Sequence, residues 1–304
     1  KRMLPLAYFF ALAGMIGCLP AFQSNQLIQI TGDLAFSEIE NFNIFGGLVL
    51  AGITGIVVIG GLKRIAEVAT FLVPLMGSIY FGAMLIALTL NLDQVFPAFK
   101  LILVDAFNGT AIAGGTFFGV LIYGVRRGAF SNEAGMGTES LVHGVAKVSD
   151  PVKQGLVAMT GPIFDTLIIC TATALMILIS GVWETSTSQG VTLTAEAFSM
   201  LLGNFGGFIL FICVICFGLS TIFTYSYYGA SCSRFLFGKF GMKFYIYLYI
   251  LSIFIYSIVP IDIAINIADG AFAMMAIPTL VSALWLAPKV MQASKNYFNL
   301  IDNY

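Results

Sequence analysis

Ser220 and Thr221, inside the apolar run "GLSTIFTYSYYG", put two hydroxyls side by side on one helical turn. With backbone carbonyls they make an oxygen-only ligand set, which suits a hard cation such as Na⁺. Hydroxyls in a helix also bond their own backbone, so the pair reads equally as local satisfaction. A second polar set is "AFQSNQ", residues 21–26, where Gln23, Ser24, Asn25 and Gln26 close an apolar stretch. Amides at membrane depth need partners, which a polar cavity supplies. A helix ending early would instead leave Asn25 and Gln26 in water. Asp165, Asp262 and Asp269 lie in or beside apolar runs. An acid at mid-bilayer costs at least ~2.5 kcal/mol and marks a candidate functional site. Asp165 is about ten residues into its run, roughly 15 Å deep, whereas Asp262 falls at the outer surface, a helix-capping position.

Glycines add a third pattern. The stretch "NGTAIAGGTFFGVLIYG", residues 108–124, carries Gly114 and Gly115 in mid-run. Each glycine weakens a helix by about 1 kcal/mol relative to alanine, and backbone freed inside a membrane must be satisfied by protein, water or ligand. The pair is therefore read as a helix broken around a ligand, with close packing through Gly115-xxx-Gly119 as the alternative. The stretch "AFSNEAGMG", residues 129–137, follows Arg126 and Arg127 and holds Ser131, Asn132 and Glu133 in a row. Gly135 and Gly137 permit a shape change there, and the three polar side chains can satisfy helix-end groups. A static capped loop is the alternative. His143 is the lone histidine, and the five cysteines, including the Cys213–Cys216 pair, sit in apolar runs as packing residues.

The elements that carry these residues are set by composition. Only 10% of the chain is charged and 59% is hydrophobic, against about a quarter charged in soluble domains. Such a chain cannot solvate a globule, so its outer surface faces lipid. A bilayer core needs roughly 20 apolar residues per helix, and such runs give eight spans, near 3–30, 44–62, 65–91, 108–127, 155–181, 204–230, 243–260 and 262–287. Thirteen of the fourteen basic residues then share one side, which is the cytoplasmic side; only Lys100 falls opposite. That assigns residues 1–2, 63–64, 128–154, 231–243 and 289–304 to the cytoplasm of a multi-pass plasma (inner) membrane protein. There is no basic tract for nucleic acid. The chain opens Lys1-Arg2-Met3 with no signal peptide, as a piece of something longer would.

The stretch "RRGAFSNEAGMGTESLVHGVAK", with "DPVKQGLVAMTGPIFDTLIICTATAL" after it, resembles the alanine or glycine:cation symporter family, the sodium:alanine symporters. "GMIGCLPAFQSN" at 14–25, "SYYG" at 226–229 and "ADGAFAMMAIP" at 268–278 resemble other parts of the same pattern. The resemblance implies an all-α, leucine-transporter-like fold of two inverted repeats. Core helices three to ten would be present and the first two missing: residues 1–92 close the first repeat, 93–107 form an extracellular loop, 108–288 hold the second repeat and 289–304 a cytoplasmic tail. It implies uptake of a small neutral amino acid, alanine or glycine and possibly serine, driven by inward sodium.

Residue by residue, the resemblance places Gln23, Gly114, Gly115, Thr116, Phe117, Ile222 and Tyr225 at the substrate. Ser220 and Thr221 fall at sodium, and Asp165, Ser131, Asn132, Glu133 and Asp269 at gating or coupling. Tyr225 stands where the family usually has tryptophan, and Thr116 where it has an aromatic, so the pocket is expected to be roomier and more polar. Two other readings compete: an intramembrane aspartyl enzyme using Asp165 and Asp269, which would need paired carboxylates sharing a proton, and a passive channel or assembly subunit.

Overall fold

The computed structural model describes residues 3–36, 38–107, 116–188 and 190–302. Over them the chain is all-helical: α1 (Leu4–Gly17), α2 (Ala21–Ala35), α3 (Phe42–Val58), α4 (Gly61–Leu90), α5 (Leu92–Ala106), α6 (Thr116–Asn132), α7 (Thr138–His143), α8 (Pro151–Pro162), a π-helical segment (Ile163–Cys170), α9 (Thr171–Ser180), α10 (Val182–Thr185), α11 (Val191–Leu202), α12 (Asn204–Ile258) and α13 (Ile261–Asp302). Five stretches are long and apolar enough to cross a membrane: Leu4–Ala35, Gly61–Leu90, Pro151–Ser180, Phe205–Ile258 and Ile261–Leu300.

The difference from eight spans has local causes. Phe42–Val58 is apolar but shorter than the other five. Helix α6 has 17 residues and carries two arginines near its end. The long α12 contains two of the expected spans, parted at Gly238, whose φ of 68° turns the chain inside a continuous helical run. Two expected loops are helices instead. Residues 92–106 form α5, and residues 191–202 form α11, which buries Ala195, Ala197 and Phe198.

Breaks follow proline and capping chemistry. Pro20 lacks an amide hydrogen and separates α1 from α2, whose first amides turn back onto Leu19 and Pro20 carbonyls. Asp150 accepts the Val152 amide at 2.7 Å, with Pro151 opening α8. The π segment begins directly after Pro162, a wide turn of a kind frequent at functional sites.

Helix α12 is the hub: it packs on α1, α2, α3, α4 and α11, while α13 covers α1 and α2. Its two halves fold back on each other, and the Tyr249 hydroxyl donates to the Ile222 carbonyl at 2.6 Å. Tyr245 reaches across to the Met15 carbonyl at 2.8 Å. Burying a phenol in an apolar bundle requires such a partner. The outward faces carry large apolar side chains such as Phe71, Leu90, Phe96 and Leu284, as a lipid-facing surface should.

One close approach decides the packing of the α12 hairpin. A Cβ at Gly229 would fall 2.1 Å from the Tyr245 hydroxyl oxygen. Gly229→Val is expected to cost about 1–3 kcal/mol by overpacking and to lower the melting temperature in detergent. Gly155→Ala, at an exposed helical position with open space around it, should hold or raise the melting temperature. Equal melting of both variants would contradict this packing.

Candidate functional site

Helix α6 stops at Asn132, and the chain turns through five residues before α7 begins at Thr138. Glu133, Gly135 and Gly137 have φ of 56°, 80° and 87°, so most of the turn lies in the left-handed region. A non-glycine residue held there costs about 1–3 kcal/mol, and Glu133 stays because its surroundings fix it. The Asn132 side chain accepts the Ala134 amide at 2.9 Å, and Thr279 donates to the Met136 carbonyl at 3.2 Å. The Thr138 hydroxyl donates to the Glu133 carboxylate. At Gly137 a Cβ would meet Thr279 Oγ1 at 2.5 Å and the Phe10 ring at 2.7 Å.

Those neighbours pack the turn against other helices. Phe10 lies in α1 and Thr279 in α13, and Met136, Gly137 and Thr138 are buried against them. The sequence placed residues 129–137 at a cytoplasmic mouth. Basic-residue counting assigned Arg126 and Arg127 to the cytoplasm as well. In the fold both face Asp269 on α13, Arg126 at 3.7 Å and Arg127 in a direct hydrogen bond.

Next to the turn lies a cavity of about 420 Å³, lined by α2, the end of α6, the loop before α11 and α12. Gln23, Ser131, Glu133, Thr221 and Tyr225 all line it. Among the described residues, the Gln23 amide and the Thr221 hydroxyl have no hydrogen-bond partner. Tyr225 is buried, with its hydroxyl within reach of the Glu133 carboxylate. Glu133, in the turn outside the membrane-spanning helices, is raised above the ordinary carboxylate range by burial; hydrogen bonds from Thr138 and Tyr225 oppose that shift.

The other expected residues lie elsewhere. Ser220 donates to the Phe217 carbonyl at 2.9 Å and approaches Met76, away from Thr221's cavity. Ile222 is fully buried in the core. Gly114 and Gly115 fall outside the described residues, as do the side chains of Thr116 and Phe117. Thr116 opens α6, sixteen residues before Asn132 and so about 24 Å along the axis.

Asp165 sits on the π segment. It accepts Ser131 Oγ at 2.6 Å and Thr166 Oγ1 at 3.1 Å, while Asn132 donates to Thr166 at 2.9 Å. The π segment is thereby clamped to the end of α6. Asp269 pairs with the arginines instead, so the two acids do not form a proton-sharing dyad.

Three contributors have partners that the sequence did not name. Gln26, for which a partnered site and water were both open, is buried; its Oε1 accepts the Val191 amide at 3.4 Å and holds the loop before α11 over the cavity. Asn25 is no free amide either, because it donates to the Val259 carbonyl at 2.7 Å and caps the end of α12. Phe130 lines the cavity and packs edge-on against Phe22 at 5.6 Å. The run Asn132-Glu133-Ala134-Gly135 was a legible helix stop, and the glycine pair at 114–115 lies outside the described residues.

The profile of the sodium:alanine symporter family matches residues 1–303. An uncharacterized transporter, YflA of Bacillus subtilis, is 34% identical over 100% of this chain and 65% of its own length. The sodium/alanine symporter AgcS of Methanococcus maripaludis is 34% identical over 99% of this chain and 66% of its own length. The probable sodium/glutamine symporter GlnT of Bacillus subtilis is 33% identical over 90% and 58%. The chain thus spans about two thirds of the length of the curated relatives it matches.

Because the folded carboxyl of Glu133 titrates above its unfolded value, its contribution to stability is full at low pH. That contribution is lost as pH rises through the folded value. Thr138→Val removes the donor that pulls the value down, so the protonated-carboxyl infrared band should persist to higher pH than in the wild type. An unchanged titration would mean that Thr138 does not hold Glu133.

Proposed function

The chain belongs to the sodium:alanine symporter family, and on that premise we propose that it carries the binding machinery for symport of a small neutral amino acid with inward sodium. Its relatives are transporters rather than enzymes. Alanine or glycine is the substrate class we favour, with serine next. The observation that carries the reading is the cavity between the broken helix and α12, into which Gln23 and Thr221 present polar groups with no partner of their own. Unpaired polar groups beside an apolar wall bind a ligand that satisfies them and reject one that leaves them unmet.

In this reading the Gln23 amide orients the amino acid, and Tyr225, fixed by Glu133, sets the far wall. Thr221 gives its hydroxyl to sodium. Ser220 joins only by exchanging its bond to the Phe217 carbonyl. Glu133 and Asp165 make the surroundings acidic and so favour a cation. Ion and substrate each stabilise the site that the other uses, which couples their binding reciprocally. The turn at Glu133–Gly137 acts as the hinge, and Asp165 transmits its movement to the π segment through Ser131 and Asn132. We read the architecture as leucine-transporter-like, with the break at this turn as the broken sixth core helix. Residues 128–154 then begin inside the bundle and reach the cytoplasm only beyond α7.

Sodium-dependent binding and uptake of labelled alanine by the full-length protein in proteoliposomes test the reading. Gln23→Ala should weaken alanine binding about 10-fold, the cost of one lost hydrogen bond at ~1.4 kcal/mol. Thr221→Val should raise the sodium concentration needed for half-maximal binding. Flux indifferent to sodium would replace symport with a passive pathway.

Asp165→Asn should slow turnover more than it weakens equilibrium alanine binding, since Asp165 touches the hinge and not the cavity. Lost binding at unchanged turnover would reverse that assignment. Tyr225→Trp should narrow competition by serine relative to glycine and alanine. Identical competition profiles in both forms would remove Tyr225 from the pocket.

A further inference from the structure

A groove of about 680 Å³ runs along the outer face of the bundle, between α3 and the second half of α12. Gly52, Gly55 and Gly60 line it on one helix, and Tyr247 and Ile250 on the other. Ile56, Ile59 and Tyr247, which also line it, are each more than 60% exposed. The two helices run antiparallel: a Cβ at Gly47 would meet Ser257, and one at Gly55 would meet Ile250. At Gly52 an added Cβ would meet nothing within 4 Å. On a face whose solvent is lipid, such a groove is filled by acyl chain.

One end of the groove is basic. Arg64, in the first turn of α4, lines it and folds back over Gly60, where a Cβ would fall 2.4 Å from Arg64 Cδ. Arg64 has no acidic partner among the described residues, whereas Lys63 meets Glu67 at 3.9 Å. Because α12 runs antiparallel to α3, Lys239 and Lys243 belong to that same end. The other end is Ala51. From Ala51 to Gly60 is about 14 Å along a helix axis, close to half of a ~30 Å hydrocarbon core.

We propose that this groove binds one acyl chain of an anionic phospholipid, with the lipid phosphate on the Arg64 guanidinium. The length matches one leaflet, and the basic end stands where the headgroup of that leaflet lies. A guanidinium takes phosphate through two parallel hydrogen bonds, and basic groups between helices at a membrane boundary select anionic headgroups. A zwitterionic lipid carries its own positive charge, which weakens the pull of a basic end. A second copy of this chain is the poorer occupant. A two-fold axis along the membrane normal would bring two sets of basic residues to the same end. The groove shares no lining residue with the cavity of Gln23 and Thr221, so the lipid site stands apart from the substrate assigned there.

Native mass spectrometry of the full-length protein in detergent, titrated with phosphatidylglycerol or phosphatidylcholine, reads the occupancy. The wild type should hold one phosphatidylglycerol about 5-fold more tightly than Arg64→Gln does, the worth of one basic residue beside anionic lipid. Gly52→Leu fills the groove where space is open, and should lose that lipid whatever its headgroup. Its melting temperature in lipid-free detergent should hold or rise, which keeps the test alive if Arg64→Gln does not fold. The site is overturned if phosphatidylcholine binds the wild type as tightly as phosphatidylglycerol. It is overturned equally if Arg64→Gln binds phosphatidylglycerol undiminished, or if Gly52→Leu retains the full lipid count. Lipid retained only in particles of twice the mass would give the groove to a second copy and sink the proposal as well.

Discussion

A polypeptide inside an apolar bundle has no water to complete its hydrogen bonds, and the interruption of α6 is arranged around that constraint. Leaving helical geometry between Asn132 and Thr138 frees carbonyls and amides that other helices would supply only by chance. Here the supply is local and specific: Asn132 serves the Ala134 amide, Ser140 donates to the Gly137 carbonyl, and Thr279 reaches from α13 to Met136. With those bonds made, the turn can carry Glu133 in an unfavourable backbone region and aim it at Tyr225. The cavity, the clamp to the π segment and the ion cluster on α6 are all placed by where that helix ends.

Charge inside the bundle obeys a matching rule. Glu133 is answered by Thr138 and Tyr225, Asp165 by Ser131 and Thr166, and Asp269 by two arginines. The three solutions differ in strength. Hydroxyl donors satisfy an acid's lone pairs without a counter-charge, whereas guanidinium groups also balance its charge.

Much of this was legible in the residues. Apolar runs located the long helices, and Gln23 from one segment and Thr221 and Tyr225 from another line one cavity. The misplacements have physical origins. The helix stop at Asn132–Gly137 could be read locally, but the partners that complete it lie on α7 and α13, which no local pattern names. Counting basic residues treats each as unpaired, so it could not show that Arg126 and Arg127 meet Asp269, some 142 positions away. Helix α11 went unseen because its buried face is made of Ala195, Ala197 and Phe198 rather than a run of large aliphatics.

The four polar residues of α2 bear on how the assembly can move. Over little more than one turn, Gln23 faces the cavity, Ser24 is buried in the interior, Asn25 holds the end of α12 and Gln26 holds the loop before α11. Rotating α2 by even a quarter turn would break the last two attachments at once and swing Ser24 out of the core. The helix therefore behaves as a stator. A change in the cavity's shape that keeps those two bonds has to come from α6 and the π segment moving against it, with the Gln23 amide left in place.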